Sequence, residues 1–181
     1  MNRFSKHCDQ CGAALPLGDE WPKKCVGCGR GVWPNPTPIG VCLVPVSDGK
    51  RTGILIGKRG HNPGMGEWGL PGGFINDTVP GETIVGGATR ELWEETGIDL
   101  RNSYDRFGLH WEYANHPQAQ VLLFYHYPHA LGLGTMVTEG PCFHTPECTE
   151  LRVAWQPETL CFSSHTIALN LWFALRTAGR P

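Results

Sequence analysis

Apolar positions along the chain fall into short runs and one repeating stripe, and the two patterns predict different elements. The runs IGVCLVPV (39–46) and TGILIGKR (52–59) flank a polar stretch at Asp48-Gly49, which predicts two strands joined as a hairpin. The segment HNPGMGEWGLPGGF is too rich in glycine for a helix and ends in a strand-like piece around Trp68 and Leu70. Over 82–96, Val85, Ala88 and Leu92 recur at three- and four-residue intervals and Gly97 follows, so an amphipathic helix with a glycine stop is expected. Further strands are expected near 107–113, 121–127 and 151–155. Ser163 or Ser164 is placed to cap a second helix running toward Arg176, with Ala168, Leu171, Trp172 and Leu175 as its apolar stripe. No internal repeat is present. Strands on either side of a central helix, with a second helix last, predict an α/β fold with a mixed sheet covered on two faces.

Composition supports a folded chain. In 181 residues, 40% are apolar and 10% aromatic, enough to bury a core, and the 24 glycines and 15 prolines indicate extensive loops. Fifteen basic and 17 acidic residues leave a net charge of -2 with no long block of one sign. A broad basic face for a nucleic-acid backbone is therefore not expected. No apolar run approaches the roughly 20 residues of a membrane span, and MNRFSKHCDQC lacks an apolar signal core, so a cytoplasmic location is expected.

Four of the eight cysteines form two pairs, Cys8-x2-Cys11 and Cys25-x2-Cys28, separated by 13 residues. This is zinc-ribbon spacing: each pair can present two thiolates from one tight turn, and four sulfurs complete a tetrahedral shell with no place for water. The Zn2+ would be structural. Gly12, Gly27 and Gly29 stand where those turns could require positive φ. A ribbon over 1–33, a connector over 34–38 within the proline-rich WPNPTP, and a main domain over 39–181 are the expected divisions. Cys42 and Cys161 sit in apolar company and read as buried thiols. Cys142, Cys148 and His144 share a loop without recognisable metal spacing.

The 82–96 helix carries the sharpest chemistry. At about 100° per residue, Glu95 lies about 40° from Glu91 and Glu94 about 60° to its other side, so three carboxylates share one face. Solvation of an exposed acidic face would tolerate them, since such like-charge pairs cost only about 0.2–0.5 kcal/mol each. A site for a hard cation would use them: Mg2+ takes oxygen ligands and joins carboxylates to substrate phosphates. Arg90 is placed to pair with Glu94. Gly86 and Gly87 weaken the helix by about 1 kcal/mol each, which indicates close packing or room for a neighbour.

From Gly73 to Ile98 the chain resembles the signature of the Nudix hydrolases, G-x5-E-x7-R-E-U-x-E-E-x-G-U, where U is aliphatic, and Glu82 through Ile98 match every fixed position. Eight residues separate Gly73 from Glu82 where that signature has five, so the loop leading into the helix is longer by three. The resemblance implies a Nudix α/β/α sandwich and Mg2+- or Mn2+-dependent hydrolysis of a nucleoside diphosphate joined to another group. It implies that Glu91, Glu94 and Glu95 hold divalent cations, with the Gly72 carbonyl as a further ligand, and that Arg90 and Glu82 orient the carboxylates. Bound cations would neutralise the pyrophosphate and lower the pKa of an attacking water. The base is expected at Glu94 or Glu95, with Glu147 or Glu150 of TPECTEL as alternatives.

A four-cysteine ribbon, a proline-rich joint and a Nudix domain together resemble the NADH pyrophosphatases, including enzymes that remove NAD caps from RNA, and a group of FAD and ADP-ribose pyrophosphatases. The SQPWPFPxS run of the NADH group is absent from YANHPQAQVLLFYHYPHALG, and LCFSSHTIALNLWF is closer to the FAD and ADP-ribose group. A dinucleotide or ADP-ribose type of substrate is expected, with nucleic acid only as a capped RNA end, and family resemblance adds the expectation of a homodimer. The rival from another class is a non-catalytic nucleotide-sensing or nucleic-acid-binding module, which intact carboxylates argue against. Trp68, Trp111, Tyr113, Phe124 and Tyr125 read as packing residues before base-stacking ones. His110, His116, His126, His129 and His144 show no metal spacing, and Lys58 and Arg59 end a strand where they could meet phosphate.

Overall fold

The computed structural model describes residues 6–18, 20–33, 35–75, 80–115, 119–134 and 146–178. The chain divides into two compact units, Met1–Thr37 with Ala114–Val121, and Pro38–Tyr113 with Leu122–Pro181. The first holds a two-stranded antiparallel ribbon, β1 (Lys23–Lys24) and β2 (Gly31–Val32), over a small core of Cys8, Leu15, Cys25 and Val32.

In the main unit the expected first strand is two strands. β3 (Thr37–Leu43) belongs to a four-stranded sheet, whereas β4 (Pro45–Ser47) pairs antiparallel with β5 (Thr52–Arg59) through Val46–Gly53 and Ser47–Thr52. The break falls at Val44, beside a proline that has no N–H to give to a ladder. The hairpin turn itself is where Asp48 predicts it: Asp48 Oδ1 accepts the backbone N–H of Lys50 and of Arg51, both at 2.9 Å.

The next strands, β6 (Trp68–Gly69) and β7 (Gly72–Phe74), pair with β5 and β3 respectively. Helix α1 spans Ile84–Thr96 and begins two residues later than the periodicity indicates, because Thr83 caps it by accepting the Gly86 N–H at 3.0 Å. Gly97, at φ 74°, ends it with its N–H on the Trp93 carbonyl. A 3-10 segment (Arg101–Arg106) leads to β8 (Gly108–Asn115) and β9 (Gln120–His126). One sheet runs β7-β3-β9-β8. The other runs β10-β4-β5-β11 with β6 also on β5; there β10 (Leu131–Gly132) lies parallel to β4, and β11 (Cys148–Ala154) antiparallel to β5. The five-stranded sheet is thus mixed, and the described residues of the main unit form two sheets where one is expected.

Helix α2 (Ser163–Thr177) is capped differently from expectation. Its N-cap is Phe162, so both serines lie in the first turn, and the hydroxyl of Thr166 instead accepts the Leu160 N–H at 2.9 Å. Its buried residues are Ser164, His165, Ala168, Leu169 and Trp172, while Leu171 and Leu175 are only half-buried.

Alternation along the strands sorts side chains to two helices. Val41, Leu43, Ile54 and Ile56 pack with Leu122 and Phe124 against Ala168, Leu169 and Trp172 of α2. Their neighbours Cys42, Val44 and Leu55 face the other way and meet Ala88 and Leu92 of α1. The result is the expected α/β/α sandwich. Leu92 is wholly buried there, and its truncation to alanine would cost about 2–5 kcal/mol. Trp111, Tyr113 and Phe124 belong to the α2-side core, and no described helix is long and apolar enough to cross a membrane.

Candidate functional site

Packing of α1 through Ala88 and Leu92 fixes the rotation of the helix and turns its acidic ridge toward β7. Two adjacent glycines make that approach feasible. A Cβ on Gly73 would lie 2.6 Å from Glu91 Cδ, and one on Gly72 would lie 2.3 Å from the Gly40 carbonyl oxygen. The Gly72 N–H donates to Glu95 Oε2 at 3.1 Å and ties the strand to the ridge. Within the helix, Gly87 makes room for Ile75 and for the Glu82 carboxylate, while Gly86 lies against the capping Thr83 hydroxyl.

Arg90 is the knot of the ridge. Its Nε donates to Glu82 at 2.9 Å, Nη1 to Glu91 at 2.9 Å and to Glu94 at 2.8 Å, and Nη2 to the Phe74 carbonyl at 3.0 Å. Burial opposes its charge, but the carboxylates of Glu82, Glu91 and Glu94 more than compensate and hold the guanidinium more firmly protonated than usual. The pairing of Arg90 with Glu94 is as the spacing predicts; its bonds to Glu82 and Glu91 complete a knot that the spacing alone does not specify.

A third element completes the cluster. Carboxylate oxygens of Glu91, Glu95 and Glu147 all lie within 4.8 Å of one another. Glu147 stands just before β11, and of the two later-loop alternatives it alone reaches the cluster, since Glu150 pairs with Lys58 at 3.2 Å. Glu94 is not in that group; it is exposed and bound to Arg90. Burial, reinforced by Glu91 and Glu147, pushes the Glu95 carboxyl up to about 8 against the opposing Gly72 N–H. Burial also raises Glu91, with Arg90 opposing and Glu94 and Glu147 adding to the rise. Three carboxylates this close ionise together only with a positive charge among them, which is the donor set a hard divalent cation takes.

The cluster opens into a cleft lined by Lys58, Arg59, Leu70, Pro71, Glu95 and Glu147 among others. Lys58 and Arg59 thus line the same cleft as Glu95 and Glu147, and the charge of Arg59 opposes the rise of Glu95. Arg59 is anchored by its Nε on the Pro63 carbonyl at 2.8 Å and by its guanidinium over the Phe162 ring. Trp68 packs on the core with the Arg152 guanidinium 4.4 Å from its ring, in line with a packing role.

In the smaller unit the four cysteines converge as their spacing predicts, with every Sγ within 4.8 Å of the others. The two knuckles are built alike. In each, the first cysteine's N–H donates to the carbonyl five residues on and its own carbonyl accepts from the glycine four residues on, at 2.8 and 2.9 Å both times. Gly12 and Gly29 have φ of 73° and 75°, whereas Gly27 does not need positive φ and instead lets Ala13 come close. A tetrahedron with metal–sulfur arms of about 2.3 Å has edges of about 3.8 Å. The Cys8–Cys28 and Cys11–Cys25 sulfurs lie 3.7 and 3.5 Å apart, so the set fits zinc.

Cys42 is buried and Cys161 half-buried; Cys148 is buried at the cleft, while Cys142 and His144 lie outside the described residues. His110 and His126 face each other at 6.4 Å between ring centres beside α2, and His116 is also outside the described residues. Residues 76–79 of the lengthened loop are outside them too.

A family profile described as NUDIX domain matches residues 36–161. Among curated proteins, the chain is 28% identical over 125 residues to NAD-capped RNA hydrolase NudC of Deinococcus radiodurans and 31% over 127 residues to that of Chromobacterium violaceum. Each match covers 68% of this chain and 42% of the relative, so the chain spans about two fifths of the length of these proteins. Mouse oxidized purine nucleoside triphosphate hydrolase is 27% identical over 123 residues, 67% of this chain and 70% of that one. Among solved structures, a hydrolase from Nitrosomonas europaea superposes with a TM-score of 0.64 at 25% identity, covering 98% of this chain and 95% of the other. The domain of Shewanella oneidensis NrtR in complex with ADP ribose superposes at 0.51 with 17% identity, over 65% and 71% of the two chains, a likeness of fold.

Proposed function

The chain belongs to the NUDIX family, and from that membership we propose that it hydrolyses the pyrophosphate bond of a dinucleotide or ADP-ribose type of substrate, with FAD and ADP-ribose first. The observation that carries this reading is the convergence of Glu91, Glu95 and Glu147 from two segments of the chain, beside a cleft that Glu95 and Glu147 line together with Lys58 and Arg59. Glu91, Glu95 and Glu147 would hold Mg2+ or Mn2+, with Glu94 and the Gly72 carbonyl as further ligands from the same ridge and strand. Bound there, such a cation supplies charge neutralisation of the diphosphate and a more acidic water.

The chain's own residues do the rest. Arg90 and Glu82 hold the ridge carboxylates in register, and the basic residues lining the cleft orient the bridging diphosphate. Water attacks one phosphorus, the bond from that phosphorus to the bridging oxygen breaks, and two monophosphates leave; FAD would give AMP and FMN. Of the four base candidates, Glu94 is engaged by Arg90 and Glu150 by Lys58, which favours Glu95 or Glu147. We take 1–33 as a Zn2+-bearing ribbon held by Cys8, Cys11, Cys25 and Cys28, 34–38 as a connector and 39–181 as the hydrolase domain.

A second reading, NADH pyrophosphatase or NAD-capped RNA hydrolase, is favoured by the likeness to the NudC relatives, which are NAD-capped RNA hydrolases. A panel of FAD, ADP-ribose, NADH and NAD-capped RNA, with Mg2+ or Mn2+ and products weighed by mass spectrometry, separates the two. The first reading predicts fastest release of AMP from FAD or ADP-ribose, and a drop of about 100-fold or more for Glu95→Gln, the scale on which removed transition-state stabilisation is felt. Tight nucleotide binding without turnover would instead identify a sensing module.

A further inference from the structure

The third carboxylate of the cluster sits on a segment whose position depends on a residue with no side chain. Strand β11 pairs with β5 through Glu150–Lys58 and then Cys148–Arg59, with a register irregularity between Cys148 and Glu150. Thr149 is the extra residue, and such a bulge breaks the alternation of side chains just before Glu147. Beyond the bulge the Gly60 N–H donates to the Glu147 carbonyl at 2.8 Å. A Cβ on Gly60 would lie 2.0 Å from the Pro146 carbonyl oxygen, 2.9 Å from its carbonyl carbon and 3.3 Å from the Glu147 carbonyl carbon. All three obstacles are backbone atoms, so no side-chain rotation relieves the overlap. Gly60 is not among the glycines with positive φ, and alanine there would conflict with its neighbour alone, not with its own backbone conformation.

We propose that Gly60 is a positioning residue for the cation site: lacking a side chain, it seats the Pro146–Glu147 backbone against β5, and its N–H holds Glu147 where that carboxylate meets those of Glu91 and Glu95. A methyl group at this position displaces the segment and withdraws one ligand, leaving the two on α1 in place. The inference rests on the reading of the cluster as a cation site.

The test is Mn2+ titration of the full, zinc-loaded chain, with free Mn2+ followed by electron paramagnetic resonance. Gly60→Ala is expected to raise the Mn2+ dissociation constant at least fivefold. Glu147→Gln should do the same, and the double variant should be no weaker than Glu147→Gln alone, because both changes remove one ligand. Binding by Gly60→Ala within twofold of the unaltered chain, or a double variant whose loss is the product of the single losses, overturns the positioning role. Should Gly60→Ala not fold, Glu147→Asp draws the same carboxylate back by about one bond length with Gly60 intact. It too must bind at least fivefold more weakly, and unchanged binding overturns the proposal. Failure of the unaltered chain to bind Mn2+, or equal binding by Glu95→Gln, would instead overturn the cation-site reading together with this inference.

Discussion

At the scale of the residue, Glu95 states the character of the site most plainly. Its carboxyl holds its proton up to about 8 in the fold, against an ordinary value of 4.5. At this group the folded state therefore holds a proton that the unfolded one releases between those values, and its contribution to stability falls as pH rises through that window. Glu95→Gln should accordingly melt with the metal-free parent at pH 4 and above it by a margin that grows toward pH 8. Added Mg2+ should restore the parent at pH 8 and leave the variant unmoved. Thermal denaturation across this range checks it, and parallel curves for parent and variant would contradict it. Glu91, Glu94, Glu95 and Arg90 are all legible in the sequence because adjacent turns of one helix relate them. Glu147 is only one alternative among several there, since the bulge and the Gly60 contact that bring it 52 residues along the chain to Glu95 leave no periodic trace.

At the scale of the element, each helix is located by one or two specific contacts. Gly73 lets β7 touch the ridge of α1, so Gly73→Ala should push Glu91 aside and lower kcat at least tenfold with a much smaller change in melting temperature. Steady-state kinetics beside a melt decide it; a change of less than twofold in kcat would show that the strand yields freely. Helix α2 is pinned by His165, whose buried Nδ1 accepts the Leu70 N–H at 3.0 Å. Burial, with Arg59 adding to it, lowers this imidazole to about 3, so the unfolded chain takes up the proton first and stability is lost as pH falls from about 6.5 toward 3. Replacement by glutamine should flatten that acid limb, whereas alanine, which leaves the buried N–H without an acceptor, should cost about 1–3 kcal/mol. Urea denaturation at pH 7 and pH 4 measures both. Helix α1 is readable from its stripe and Gly97 stop. The division of the first strand at Val44 is not, because an apolar run buried on both faces looks continuous whether or not the chain changes sheets there.

At the scale of the whole molecule, two chemically different donor clusters stand in two compact units. Hard carboxylate oxygens gather in the main unit and soft thiolates in the smaller one, donor sets that suit different ions. The smaller unit has a core of few residues, and metal binding would supply much of its folding free energy. Removal of zinc by a chelator should therefore speed hydrogen exchange at the Gly12 and Gly29 amides, which close the knuckles, while the amides of Leu55 and Ile56 stay protected. Exchange unchanged at the glycines would show that the thiolates are not held by metal.

The measurement that bears most directly on the central claim is anomalous diffraction from crystals of the full chain soaked with Mn2+ and a non-hydrolysable ADP-ribose analogue. A manganese peak is expected within coordination distance of Glu91, Glu95 and Glu147, with the diphosphate between that ion and Lys58 and Arg59. Manganese elsewhere, or an analogue seated away from those carboxylates, would contradict it.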